Sequence, residues 1–406
     1  MDQPRQPVFN RTYLKILPWI VAIVIVLLTA NNQNNTSYLP ETLHENWIFL
    51  SIDDATTKQQ LKLMYPLTPA YTEQQTQQRI ALQTALTDAS KMQESLTTEW
   101  HDDKLILSLT ADHIDVKTFN FNTLLSQLIT TAKNNYPAAL QRATAERYLA
   151  LNNIETLALS TMKTQLLASQ PPAFREPSHI SSLFYQRPTA LIILKKKNDS
   201  LTTFISGQLK AQYPTTTESH IAALPSESIN SASLTANPLV NLQHRSNTHL
   251  YLIGQPISMD ANNLNRTLAF RYINQALQPL IEKNNATYHL MLKPFLPVGY
   301  AALVITRNSP LQDKLPGNLQ DYLLEHFNTQ LLEQIKTDLI SQYETQLADP
   351  EYRANLLARQ LFYKDKFQSV DEFRDTLADI TATRIKTQIH QLFDPAHAII
   401  VRITPP

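Results

Sequence analysis

The fifteen residues Ile16–Ala30, ILPWIVAIVIVLLTA, carry no charge, and they decide which solvent the rest of the chain meets. A helix of that length rises about 22 Å, short of a hydrocarbon core of roughly 30 Å, and starting it at Thr12 adds about one turn. Lys15 then snorkels its amine to the headgroups. Arg5, Arg11 and Lys15 precede the apolar run, and no Lys or Arg follows it until Lys58. By the positive-inside rule, residues 1–13 are expected in the cytoplasm, residues 14–30 across the membrane as a single anchor, and the body outside. A basic start, an apolar core and Ala30 also meet the outline of a cleaved signal peptide. Against that, Leu28 occupies the position two before Ala30 where a small residue is expected, so a retained anchor is the better reading. Residues 31–44 open with the polar tract NNQNNTS, which supplies nothing for the anchor to pack against and reads as a tether.

The remaining chain is long enough for two lobes with well-formed cores. Its 35 basic residues balance 35 acidic ones, so no global field draws nucleic acid, and a nucleic-acid partner is not expected. No cysteine is present, which excludes disulfides, thiolate metal sites and cysteine nucleophiles. It also suits an oxidising compartment. Together with a single anchor, this places the body in a bacterial periplasm. The four glycines, Gly207, Gly254, Gly299 and Gly317, are too far apart for a phosphate-cradling loop, a dinucleotide fingerprint or a GxSxG elbow.

The first lobe, residues 45–213, is expected to open with strands at Trp47–Ile52 and Leu61–Leu67. A helix from Thr72 to Ser90 follows, its start marked by Thr72 and Gln75 as a capping box. Next come a strand at Leu105–Leu109, helices at about Phe119–Asn135 and Ala138–Ser169 divided by Pro137, a buried strand at Ala190–Leu194 and a helix at Ser200–Tyr213. Residues 214–247 lose hydrophobic period and read as a linker. The second lobe, residues 248–406, repeats the grammar. Strands are expected at Leu250–Ile253, Thr287–Leu292, Tyr300–Thr306 and Ala398–Ile403. Its helices fall at Asn262–Lys283, Leu319–Leu347, Glu351–Tyr363, Val370–Leu377 and Thr383–Leu392. This internal repeat implies an α+β fold of two similar lobes, each a mainly antiparallel sheet with helices packed on one face, preceded by one transmembrane helix.

Within the second lobe, Ile281-Glu282-Lys283-Asn284-Asn285-Ala286-Thr287-Tyr288 resembles the segment Arg-Glu-Lys-x-Gly-Leu-x-Tyr of the insulinase-type zinc peptidases, the family of pitrilysin and the mitochondrial processing peptidase. The tail from Tyr352 through Asp394-Pro395 to Ile403 is similar to that family's closing helices and strand. The resemblance covers about Thr248–Ile403, and the first lobe is similar in element order only. It implies two α+β lobes and, in an active member, zinc held by HxxEH on a helix with the glutamate as general base.

No HxxEH occurs in this chain, and the equivalent helix near Thr72–Ser90 holds no histidine. The family's substrate-holding arginine falls at Ile281, so of that pair only Tyr288 remains as a weak substrate-binding candidate. Packing is the commoner role for such a tyrosine. Tyr322-Leu323-Leu324-Glu325-His326 imitates HxxEH with tyrosine in place of the first histidine, but it lies in the wrong lobe and helix, and tyrosine is a poor zinc ligand. The other histidines lack metal-ligand spacing. Lys195, Lys196 and Lys197 read as a solvated strand edge. Asp53-Asp54 and Asp102-Asp103 read as carboxylates that end strands and solvate turns. No catalytic residue, metal ligand or cofactor is assigned; whether the chain is an enzyme is left open, the missing zinc motif favouring none.

The expected function is that of a membrane-anchored, inactive peptidase-like protein serving as a binding or scaffolding partner in the periplasm. Its expected partners are the inner membrane, through one helix, and a protein, for which an HxxEH-bearing insulinase-type peptidase is the candidate. The alternatives are a divergent metallopeptidase active only in a complex, and a structural component of an envelope assembly.

Overall fold

The computed structural model describes residues 41–44, 47–51, 59–92, 96–111, 120–167, 180–194, 199–213, 239–259, 263–283, 285–296, 298–310, 315–363, 365, 368–392 and 398–406. The anchor at 14–30, the polar tract after it and the triple lysine at 195–197 lie outside these residues. Among the described residues no helix is long and apolar enough to cross a membrane.

The first sheet has six strands in the order β1-β2-β6-β3-β5-β4. They are β1 (Glu41–His44), β2 (Trp47–Ser51), β3 (Gln59–Pro66), β4 (Leu96–Trp100), β5 (Lys104–Ala111) and β6 (Thr189–Leu194). The second has five in the order β7-β11-β8-β10-β9. These are β7 (Leu239–Gln243), β8 (His249–Ile257), β9 (Thr287–Lys293), β10 (Gly299–Arg307) and β11 (Ile399–Thr404). In each sheet one pair is parallel, β2 with β6 and β7 with β11, and the other pairs are antiparallel. Leaving out β1, the two sheets have the same strand order, so the repeat read from the sequence is a repeat of topology.

Two strands lie in stretches expected to be irregular. β1 falls in the stretch read as tether and β7 in the stretch read as linker, because each is an edge strand with a single neighbour. The side chains of β7 alternate between exposed and half-buried, which leaves little apolar signal. β4, another edge strand, also falls in a stretch with no expected strand: its LTTEW buries only Leu96 fully.

The helices of the first half are α1 (Glu73–Ser90), α2 (Phe121–Ala150), α3 (Ile154–Leu167), α4 (Ile180–Tyr185) and α5 (Asp199–Gln212). Those of the second are α6 (Asn263–Lys283), α7 (Leu315–Glu325), α8 (Thr329–Ala348), α9 (Pro350–Tyr363), α10 (Val370–Ala378) and α11 (Ala382–Leu392). The capping box expected at Thr72 and Gln75 is present.

Pro137 does not divide the helices around it; α2 runs through it. A proline inside a helix costs about 3 kcal/mol, and here Ala132, Tyr136, Ala139 and Ala143 bury the surrounding turns in the core shared with α1. The break comes later, where Asn153 accepts from the N–H groups of Glu155 and Thr156 and starts α3. Similarly, the single helix expected over Leu319–Leu347 is two, because Asn328 caps a new start by accepting from Gln330 and Leu331.

Both sheets are covered on both faces, not on one. On the first sheet Leu61, Leu63, Tyr65, Leu105, Leu107 and Leu109 face the large core made with α1, α2, α4 and α5. The alternate residues Met64 and Ile106 face the other way, onto Ala354, Leu357, Ala358 and Phe362 of α9, a helix of the second half. On the second sheet Tyr251, Ile253, Leu303 and Ile305 face the core built with α6–α8, α10 and α11. Leu250, Leu252, Val304 and Val401 face Ala158, Met162 and Leu166 of α3, a helix of the first half. Each half thus lends one helix to the other's sheet. Period 2 in a strand puts successive side chains on opposite faces, so β3, β8 and β10 are buried almost without interruption. α3 lies so close to β8 that a Cβ at Gly254 would run into the Met162 sulfur.

Candidate functional site

The exchange of helices brings two loop ends together, and a cavity of about 350 Å³ opens between the halves. One wall comes from α1, through Arg79 and Gln83, and from the β4–β5 turn, Trp100–Lys104. The other comes from Lys293, Pro294 and Phe295 after β9 and from Tyr363 at the end of α9.

Asp103 fixes this junction. Its Oδ2 accepts from the Tyr363 hydroxyl at 2.7 Å and from the Leu296 N–H at 3.1 Å, both in the second half. Lys104 donates to the Tyr363 oxygen at 2.9 Å and lies 3.7 Å from the Asp103 carboxylate. The ammonium also sits over the rings of Phe362 and Tyr363, 4.8 and 4.3 Å from their centroids, within cation–π range. Burial holds the Lys104 amine below its ordinary value, with Asp103 acting the other way. Burial and the neighbouring Asp103 both push the Tyr363 phenol up.

Two further contacts cross the junction. The Tyr71 hydroxyl donates to the Val298 carbonyl at 2.9 Å, and burial pushes its phenol up. Lys163 of α3 lies 5.7 Å from the Tyr300 ring centroid, and burial lowers its amine. Arg79 donates to the carbonyls of Thr68, His101 and Asp102. Desolvation pulls its guanidinium down to about 10, with Asp102 and Asp103 opposing.

The residues singled out from the sequence are distributed differently. Tyr288 lies on β9, away from the cavity wall, and its hydroxyl donates to the Asn274 carbonyl of α6 at 2.6 Å. Burial pushes its phenol up. Ile281, at the position of the family's arginine, is 5% exposed in the core of the second half. Asn285 stands where the family segment has glycine, and its φ of 47° explains that glycine. Asn285 N–H donates to Glu282 and Ala286 N–H to Ile281, so α6 ends in a Schellman motif whose left-handed residue is an asparagine.

In the HxxEH imitation on α7, Tyr322 and His326 stack at 4.5 Å, and His326 Nδ1 donates to the Tyr322 carbonyl. Among the described residues no three His, Cys, Asp or Glu side chains are grouped to hold a metal ion. α1, which the sequence resemblance put in the place of the zinc-binding helix, gives the cavity a guanidinium and an amide.

Asp102-Asp103 was expected to be a solvated pair. Asp102 is exposed, but Asp103 is only 3% exposed. No local pattern could separate them, since Tyr363 lies 260 residues away.

By sequence the chain matches no family model and no curated protein. By structure it is similar to the inactive domain of a peptidase M16 from Pseudomonas fluorescens, at 13% identity and a TM-score of 0.59, over 91% of this chain and 98% of that one. A protease from Helicobacter pylori matches at 10% identity and a TM-score of 0.62, over 90% and 99%. The ferredoxin protease FusC, in complex with Arabidopsis ferredoxin, matches at 12% identity and a TM-score of 0.57, over 90% of this chain but 46% of that one. The fold is therefore that of the M16, or insulinase-type, peptidases. The body described corresponds to one whole chain in the first two and to about half of the third.

Proposed function

We propose that the chain is a catalytically inactive, insulinase-type body that works by binding protein, held at the outer face of a bacterial inner membrane by residues 14–30. One observation carries this reading: an insulinase-type body is present while its chemistry is missing. The sequence has no HxxEH, α1 contains no histidine, and Ile281 is buried where the family's arginine would meet substrate. What is left is a body of two sheets and their covering helices.

The partner proposed is a zinc-bearing peptidase of the same fold. In FusC this fold spans about half of a longer chain, and two separate chains can supply two such bodies. Tyr288 is retained as a weak contact for a bound peptide.

The test is crosslinking of the full chain in intact cells, followed by identification of its neighbours. An HxxEH-bearing insulinase-type peptidase recovered with the chain supports the pairing. Recovery of envelope structural proteins alone refutes it. Protease added to spheroplasts should digest the body and leave a membrane-embedded N-terminal fragment, whereas a fully protected body would contradict the orientation.

A further inference from the structure

The cavity between the halves has the chemistry of a ligand site, and it is independent of the proposed pairing. Its floor is charged and held in place: Arg79 is pinned by backbone carbonyls, and Lys104 by Asp103, Tyr363 and two aromatic rings. Its rim carries the exposed Lys293. Against Arg79, Lys104 and Lys293 stand Asp102 and Asp103, which leaves one net positive charge on the wall. Lys163, just behind Tyr300, adds to it and feels Asp102. Lys104 and Asp103 pair with each other, so the charges left for an incoming molecule are those of Arg79, Lys293 and Asp102.

The rest of the wall is mixed: Gln83, His101 and Tyr363 are polar, while Ala70, Leu292, Pro294 and Phe295 line one side, with Trp100 among the lining residues. The volume, about 350 Å³, lies at the small end of ligand pockets. A site of one net positive charge and one apolar side selects a small monoanion with an apolar group. We infer that the cavity binds a small organic carboxylate, its oxygens toward Arg79 and Lys293 and its apolar group against Phe295 and Trp100. A dianion such as phosphate has no apolar group to bury there and more charge than the wall neutralises.

The test uses the full chain, titrated with 3-phenylpropionate and, as a neutral match, with 3-phenylpropionamide. Binding is followed by calorimetry and by Trp fluorescence, since Trp100 is one of three tryptophans and lines the site. The acid should bind saturably with a Kd of about 1 mM or tighter, the range that the efficiency bound allows for so small a ligand. The amide should bind at least about tenfold more weakly, because it brings no charge to the wall. Lys293→Gln, a change at an exposed rim position, should weaken the acid about fivefold and leave the thermal midpoint unchanged. Arg79→Gln should abolish binding, and its fold is checked by circular dichroism.

Equal affinity for acid and amide overturns the proposal, as does the absence of saturable binding by the unsubstituted chain. Tighter binding of inorganic phosphate than of the carboxylate also overturns it. An unaltered Kd in Lys293→Gln removes the assigned orientation and with it the site as drawn.

Discussion

Asp103→Ala puts the junction between the halves to a quantitative test. The carboxylate is buried, and its removal strands three groups: the Tyr363 hydroxyl, the Leu296 N–H and the Lys104 ammonium. Each orphaned neutral donor costs about 1–3 kcal/mol when buried. Tyr363 and Leu296 are only part-buried, so about 1 kcal/mol each is the appropriate figure. Lys104 is 7% exposed by its side chain, and breaking a buried pair from one side costs about 3–5 kcal/mol. Because Tyr363 remains as an acceptor for Lys104 and the 3.7 Å pairing is long, the lower end applies. The loss expected is therefore about 5 kcal/mol in all, a large share of the 5–15 kcal/mol that folded domains possess. Urea unfolding of the full chain reads this as a lower midpoint at unchanged slope. The neutral pair Asp103→Leu with Lys104→Met should recover most of the loss, since it removes the stranded charge with its partner. A loss under about 0.5 kcal/mol for Asp103→Ala would refute the reasoning, for that is the scale of an ordinary surface substitution.

Three further outcomes follow from the packing. Leu357→Ala should cost about 2–5 kcal/mol, and hydrogen exchange should show lost protection in β3 and β6 of the first half, because α9 covers their outer face; protection lost only in the second half would contradict the exchange of helices. Gly254→Ala should destabilise by about 1–3 kcal/mol through overpacking, and Met162→Ala in the same chain should relieve the clash, though not the lost burial. At alkaline pH the buried phenols Tyr65, Tyr71, Tyr213 and Tyr363 hold pKa values above the ordinary 10. Their contribution is fully present below about pH 10 and is lost as pH rises through the folded values. Burial lowers Lys62 and Lys104, so each penalises the fold at neutral pH and ceases to do so as it deprotonates, which offsets part of that loss. Tyrosinate absorbance from this buried set should therefore appear only as the chain unfolds; full tyrosine ionisation near pH 10 in the folded chain would contradict the burial.

The fold was legible where local physics and burial agree. β8, β10 and β11 announced themselves as apolar runs, and the capping box at Thr72 placed α1 to within a residue. The edge strands β1, β4 and β7 were not legible, because an edge buries little and its sequence looks like a loop. Nor was the loan of α3 and α9 between the halves. An amphipathic helix shows which face it buries but not against which sheet, and the apolar runs in β3 and β8 were compatible with cover from either source. The resemblance at Ile281–Tyr288 was carried by a backbone need: Asn285 supplies the left-handed residue that ends α6. The cavity was hidden, because Asp103, Arg79 and Tyr363 meet only after the halves close on each other.

The central claim is that this body keeps an insulinase-type fold without its metal chemistry. It is tested most directly by the metal content of the full chain, expressed and purified in the presence of zinc and measured by elemental analysis alongside a peptide-cleavage assay. The account predicts far less than one zinc per chain and no cleavage that a chelator abolishes. One tightly bound zinc per chain with chelator-sensitive proteolysis would contradict it.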